Sequence, residues 1–121
     1  MIRIERVPGK GRGIIAATDF SAGEFIERAP VIVVPNCEWE IVDETFLFGY
    51  IFLWKDEVAV GMGLASFFNH SYSPNAVYHK NFDNLTLDFT ALRDIAAGEE
   101  ILVNYNGEPG DRTPMWFDIR Q

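Results

Sequence analysis

The chain has 121 residues, enough for one folded domain with one hydrophobic core. Hydrophobic residues make up 48% and charged residues 23%, a globular composition that excludes a disordered chain. The formal net charge of −8 argues against direct binding to a nucleic-acid backbone and suits a cationic partner, although many cytosolic proteins are equally acidic. No apolar run approaches the roughly 20 residues that a membrane-spanning helix needs, and the first residues do not resemble a signal peptide. We expect a single domain over residues 1–121, no membrane association and an intracellular, cytoplasmic location.

Metal-ligating side chains are scarce. Cys37 is the only cysteine, and His70 and His79 are the only histidines. One cysteine can form neither an internal disulfide nor a multi-cysteine zinc site, so we expect no metal. Because Cys37 lies among acidic residues, we interpret it as a structural thiol rather than a nucleophile.

The first half of the chain shows strand periodicity broken by turns. Residues 2–5 alternate, residues 8–13 resemble a glycine-rich loop, and residues 14–17 form a short apolar run. Residues 25–34 predict strand segments in which Pro30 must lie at an edge or a bend. A helix is predicted from about residue 36 to residue 45.

The second half begins with an aromatic stretch, residues 46–54, which we predict to be buried as either a strand or a helix. The remaining predictions are a helical turn at 64–68, a hairpin joining 76–79 to the clear strand 85–91 through 81–84, and a short strand at 101–103. Many short strands with frequent turns predict a mainly β domain with few short helices.

Three motifs stand out in order along the chain. They are Gly11-Arg12-Gly13, the segment Asn-His-Ser-Tyr-Ser-Pro-Asn at 69–75, and Gly-Glu-Glu-Ile-Leu-Val-Asn-Tyr at 98–105. Each alone has an ordinary interpretation as a turn, a capped loop or a strand end. Together they resemble the motif set of SET-domain protein lysine methyltransferases, from Gly11 to about Phe117. The resemblance implies a SET-domain β-clip of several short sheets with a C-terminal pseudoknot.

The resemblance also implies a site for S-adenosyl-L-methionine, with S-adenosyl-L-homocysteine as product. In that family the Gly-x-Gly segment contacts the cofactor through its backbone. The backbones at the positions of Asn69 and His70 bind the adenine, and the asparagine side chain reaches the methionine part. The cofactor-binding residues expected from this likeness are Lys10, Gly11, Arg12, Gly13, Asn69, His70, Tyr105 and Trp116.

Tyr105 and Tyr78 are the catalytic residues that the resemblance implies. The reaction is an in-line attack of a neutral amine on a sulfonium-bound methyl, and lysine has a reference pKa of about 10.4. Desolvation and the sulfonium charge lower that pKa, so no strong side-chain base is required. Alignment of the reactants can contribute roughly 7–11 kcal/mol. The expected residues of the substrate channel are Tyr50, Tyr78, Tyr105 and Phe117, although Tyr50 suits core packing equally well.

Other motif residues have structural interpretations. Ser71 and Asn75 are expected to hold their loop by side-chain to backbone hydrogen bonds. Glu99 and Glu100 are expected at a turn and strand start rather than in acid–base catalysis, with at most one of them orienting Tyr105 or a neighbouring backbone. The neighbouring Arg93-Asp94 is expected to be a solvated surface pair.

Several departures from the family pattern are visible. The chain has no flanking zinc clusters and no large insert before Asn69, and it lacks the tyrosine-x-glycine that many members carry near residues 27–30. Trp116 or Phe117 could cover the cofactor in place of a zinc module, or both could dock on the core. In its small size the chain resembles compact viral and bacterial SET proteins, some of which are dimers, and a homodimer is inferred from this likeness alone.

The leading hypothesis is a lysine methyltransferase that acts on a lysine in a basic protein, histone-like or ribosomal, with no direct nucleic-acid partner. A nuclear role or export as an effector is compatible with it. The alternative is a catalytically silent SET-like module that binds a peptide or protein. A metal-dependent hydrolase ranks third because the chain has few candidate ligands.

Overall fold

The computed structural model describes residues 1–115 as two small β-sheets with short helical segments. The strands are β1 (Ile2–Val7), β2 (Gly11–Ala16), β3 (Phe25–Val34), β4 (Ile51–Trp54), β5 (Glu57–Gly61), β6 (Asn69–His70), β7 (Ala76–Asn81), β8 (Thr86–Ala91) and β9 (Glu100–Val103). The helices are α1 (Trp39–Asp43) and three 3₁₀ turns, Asn36–Glu38, Phe46–Tyr50 and Ala65–Phe67. The mainly β prediction is confirmed.

The first sheet brings the three sequence motifs together. Its strand order is β1-β2-β9-β6, so β9 lies between the N-terminal hairpin and the strand that carries Asn69. β9 is antiparallel to β2, with Ile14 opposite Ile101, and parallel to β6, with Asn69 opposite Leu102. Residues far apart in sequence are thereby placed side by side. The threading of a pseudoknot stays a prediction.

The second sheet has the order β4-β5-β3-β8-β7, with β3 at its centre. β3 pairs with β8 up to Pro30 and with β5 from Val31 onward. The proline therefore lies where the strand leaves one neighbour for the other, which agrees with a bend, because proline has no N–H to donate to a ladder. The largest fully buried side chains between the elements are Phe89, Ile14, Leu87, Ile95, Ile101 and Val58.

Two predictions about local structure are wrong. Residues 11–13 belong to strand β2 rather than to a loop, because the turn already closes at Lys10, whose N–H donates to the carbonyl of Val7. Residues 46–50 form an exposed 3₁₀ turn rather than a buried element, with Phe46 79% exposed. The aromatic stretch enters a strand only from Ile51.

Other predicted elements are confirmed. The hairpin between β7 and β8, the turn at Ala65–Phe67, the strand β9 and a short helix after residue 35 are all present. Within residues 1–115, no helix combines the length and apolar character that a bilayer crossing requires.

Candidate active site

Two cavities of different character meet at Tyr105. The first has a volume of about 670 Å³, and Arg6, Lys10, Gly11, Arg12 and Asn69 contribute to its wall. The second, of about 330 Å³, has a mostly apolar and aromatic wall. Both are lined by Phe48, Gly49, Tyr50, Ser66 and Tyr105. Tyr105 thus faces a site lined by cationic side chains on one side and an aromatic channel on the other.

His70 positions the backbone of Tyr105. The parallel pairing of β6 with β9 brings the buried imidazole beside residue 105, where Nδ1 accepts a hydrogen bond of 2.9 Å from the Tyr105 N–H. Burial lowers the pKa of His70, and the neutral ring is the form that can accept at Nδ1. The family resemblance implies a role only for the backbone of His70, and no signal in the sequence indicates this side-chain contact.

The hydroxyls of Tyr105 and Tyr78 both donate to backbone carbonyls. Tyr105 Oη donates to the Phe68 carbonyl at 2.7 Å, and Tyr78 Oη donates to the Tyr105 carbonyl at 3.1 Å. Burial raises the pKa of Tyr78 to about 12 and raises that of Tyr105 as well, with smaller contributions from Tyr50 and Glu100. Both phenols are therefore protonated near neutral pH. With its hydrogen directed at a carbonyl, each oxygen keeps a lone pair for an incoming donor.

Asn69 is held by the carboxylate of Glu100, a residue predicted to lie at a strand start. Its Nδ2 donates to Glu100 Oε2 at 2.7 Å and to the Arg12 carbonyl at 3.0 Å. Lys10 Nζ lies 3.0 Å from Glu100 Oε1, and both charged side chains are mostly buried. Glu100 does begin β9 as expected, but no local pattern separates it from Glu99. Only the pairing of β9 with β2 places it beside the hairpin.

Gly13 leaves room for this packing. A Cβ added at residue 13 would lie 2.5 Å from Glu100 Oε2 and 2.6 Å from Asn69 Nδ2. Gly11 has a different reason for its identity, a φ of +76° that disfavours side chains, with nothing near its Cβ position. The close approach at Gly13 is therefore to the chain's own side chains.

Ser71 and Asn75 hold the loop between β6 and β7, as predicted. Asn75 Nδ2 donates to the Glu100 carbonyl at 2.9 Å, and its Oδ1 accepts from the Leu102 N–H at 2.8 Å. Ser71 Oγ accepts from the Ser73 N–H at 2.9 Å. Asn75 thus ties this loop to the backbone of β9.

The remaining predicted residues are placed as follows. Tyr50 lines both cavities from the exposed 3₁₀ turn, and the guanidinium of Arg12 lies 4.8 Å from the centre of the Phe67 ring. Trp116 and Phe117 lie outside the described residues. Among residues 1–115, no three His, Cys, Asp or Glu side chains come together as a metal site would require. The roles of the individual site residues stay predictions.

Arg93 and Asp94 are both exposed, as predicted, but their charged groups do not pair with each other. The guanidinium of Arg93 donates to the carboxylate of Glu99 and to the backbone carbonyl of Asp94. The carboxylate of Asp94 instead accepts from the Ala22 N–H at 2.9 Å, across a neighbouring turn. Residues 92 and 93 form a bend after β8, and the two side chains find different partners there.

The chain resembles several known proteins. The model of the SET domain family matches residues 11–106. The histone-lysine N-methyltransferase of Schizosaccharomyces pombe that is specific for H3 lysine-37 is 31% identical over 119 residues, covering 97% of this chain and 77% of that protein. The Xenopus laevis N-lysine methyltransferase KMT5A-A is 29% identical, covering 97% of this chain but 38% of its own length.

A solved structure agrees with these relatives. A Plasmodium falciparum protein, described as a histone methyltransferase, superimposes with a TM-score of 0.73 at 26% identity, covering 89% of this chain and 99% of the other. The chain belongs to the SET-domain family. Family membership and these relatives support protein-lysine methyltransferase activity.

Proposed function

We propose that the chain transfers a methyl group from S-adenosyl-L-methionine to the ε-amine of a lysine in a basic protein segment. The observation that carries the proposal is the position of Tyr105 in the wall of two cavities with different chemistry. One suits a charged cofactor, and the other suits an aliphatic amine. A hydroxyl at their junction lies where the reacting groups would meet.

The first cavity fits the cofactor. Its volume of about 670 Å³ lies within the roughly 300–1,000 Å³ of ordinary ligand sites. Arg6, Lys10 and Arg12 line it, and cations suit a carboxylate. Asn69 adds a side-chain amide, and the ring of Phe67 an apolar face for an aromatic base. When bound, the cofactor would supply an electrophilic methyl on a sulfonium.

The second cavity suits the substrate side chain. Its aromatic wall removes water from a lysine that enters it, and desolvation lowers the pKa of an ammonium. The resulting neutral amine can donate an N–H to the oxygen of Tyr105 or of Tyr78, both of which stay protonated. These hydroxyls then orient the amine, while the proton it loses passes to solvent. Positioning is the main contribution of the chain to the rate.

The substrate is proposed to be a histone-like or ribosomal protein. The net charge of −8 attracts a lysine-rich segment, and the relatives above are named as acting on histone H3 or protein lysines. A homodimer, an intracellular location and a nuclear or exported role are further parts of this proposal. Cell fractionation and the molecular mass in solution test them.

The central experiment combines binding with transfer. We expect calorimetry to detect binding of S-adenosyl-L-methionine and labelled methyl to pass to lysines of a histone and ribosomal protein mixture. Tyr105→Phe should lower turnover at least about tenfold and change cofactor affinity less, because the lost hydroxyl serves the amine.

Tyr72→Phe is the matched control, since its hydroxyl donates to the Thr113 carbonyl rather than lining either cavity. If the wild-type protein ignores the cofactor, the alternative of a silent peptide-binding module replaces the proposal.

Tyr78 is proposed to limit the number of methyl groups added. Its hydroxyl is fixed by the Tyr105 carbonyl and lines the second cavity. Tyr78→Phe removes that oxygen and leaves more room beside the amine, so we expect a shift toward higher methylation. Mass spectrometry of a lysine peptide measures the product distribution, and an unchanged distribution contradicts the role.

A further inference from the structure

The orientation of the Asn69 amide is set by its neighbours. Both acceptors around Nδ2 are fixed groups, the Arg12 carbonyl on β2 and the Glu100 carboxylate on β9. An amide nitrogen has two hydrogens to donate, and these two contacts use both. Oδ1 is therefore the amide atom that remains to contact a ligand in the first cavity, which Asn69 lines.

This orientation of the Asn69 amide depends on the carboxylate of Glu100. An ionised Glu100 can only accept hydrogen bonds, so it selects the nitrogen of Asn69 rather than the oxygen. Lys10 neutralises it from the other side at 3.0 Å, which makes a mostly buried charge tolerable. Gly13 leaves the space in which the two side chains meet. The Glu100 carboxylate, the Lys10 ammonium and the space at Gly13 together set the orientation of the Asn69 amide.

We propose that Glu100 is a positioning residue that presents Asn69 Oδ1 to the α-ammonium of the cofactor's amino-acid part. The inference rests on the proposed function and adds a residue that does not itself line the cavity. An oxygen acceptor attracts an ammonium, whereas an amide nitrogen in the same place would repel it. Glu100 thus selects ligands that carry the amino-acid part.

The test compares two ligands that differ in that part. S-Adenosyl-L-homocysteine carries the amino-acid part, and 5′-methylthioadenosine does not. In Glu100→Gln, Lys10 attracts the glutamine oxygen, so the glutamine nitrogen faces Asn69 and favours the flipped amide. We expect the affinity for S-adenosyl-L-homocysteine to fall about ten- to a hundredfold, as for loss of a charge-assisted hydrogen bond, and the affinity for 5′-methylthioadenosine to change less than about twofold.

Two controls separate positioning from general damage. Glu99→Gln removes the adjacent carboxylate, which contacts Arg93 away from the cavity, and should leave both affinities unchanged. In an Asn69→Ala background, Glu100→Gln should have no further effect on S-adenosyl-L-homocysteine, because the residue acts through Asn69. If Glu100→Gln does not fold, Glu100→Ala takes its place; Asn69 then keeps the Arg12 carbonyl as an acceptor, so we expect a smaller loss of affinity for S-adenosyl-L-homocysteine and again little change for 5′-methylthioadenosine.

The outcomes are distinct. Equal losses for both ligands, or no loss for either, would overturn the positioning role while leaving the proposed function in place. A wild-type protein that binds neither ligand would overturn the proposed function and this inference with it. Additive effects in the double variant would show that Glu100 acts without Asn69.

Discussion

The two sides of Tyr105 are built differently. On one side lies a polar network of buried His70 and Asn75 and half-buried Asn69 and Glu100, whose side chains hydrogen-bond to neighbouring segments. On the other lies the aromatic segment, Phe46–Tyr50, in which no residue is fully buried. Removing a partner from a polar network shielded from water lowers the free energy of unfolding, whereas replacing an exposed side chain usually changes it little. We infer that substitutions in the network lower stability, whereas substitutions in the aromatic segment change the walls of the cavities with little loss of stability.

Asn75→Ala gives the largest stability loss on the network side. The variant leaves the Glu100 carbonyl and the Leu102 N–H without their side-chain partner, each at a cost of about 1–3 kcal/mol. We expect a loss of about 2–4 kcal/mol in the free energy of unfolding, measured by urea denaturation. Ser73→Ala, an exposed residue of the same loop, should cost less than about 0.5 kcal/mol. Similar losses of stability in both variants would mean that the loop does not depend on the two hydrogen bonds of Asn75.

Gly13→Ala and Gly49→Ala compare the stability of the polar network with that of the aromatic segment. Its Cβ would meet Glu100 and Asn69 inside normal contact distance, and overpacking of this kind costs about 1–3 kcal/mol. Gly49→Ala in the aromatic segment meets nothing within 4 Å, so we expect it to be close to neutral. Thermal unfolding of both variants measures the contrast. A neutral Gly13→Ala would mean that the network is looser than its contacts indicate.

His70 should make stability depend on pH. Burial lowers its pKa in the folded protein below the ordinary 6.5, so the unfolded chain takes up a proton first as the pH falls. Stability is therefore full above about pH 6.5 and declines below it, until the lowered folded pKa is reached. We expect urea denaturation to show a free energy of unfolding that declines below about pH 6.5 in the wild type, and this part of the decline to be absent in His70→Gln. His79→Gln, on the exposed side of β7, should keep the wild-type profile.

The sequence predicted the parts of this molecule that local pattern determines. The hairpin before Thr86 and the strand β9 follow from alternation and turn residues, and the motif likeness brought Asn69, His70 and Tyr105 into one site. The partners of Glu100 could not be predicted, because they depend on which strands lie side by side. The exposed aromatic segment was also missed, since aromatic density ordinarily signals burial.

Phe46→Ser should give the smallest stability effect and the clearest functional one on the aromatic side. The ring is 79% exposed and meets Tyr50 edge-on at 5.7 Å, so we expect the free energy of unfolding to change by less than about 1 kcal/mol. The same ring lines the first cavity beside the residues shared with the second. We therefore expect weaker binding of cofactor or peptide, by about two- to tenfold in calorimetry, in a protein that unfolds like the wild type.

Ile32→Ser, at an exposed apolar residue on β3 that lines neither cavity, is the matched control. If Phe46→Ser instead unfolds the chain while binding is retained in the folded fraction, the aromatic segment belongs with the polar network as a structural support, and the contrast between the two sides of Tyr105 is lost.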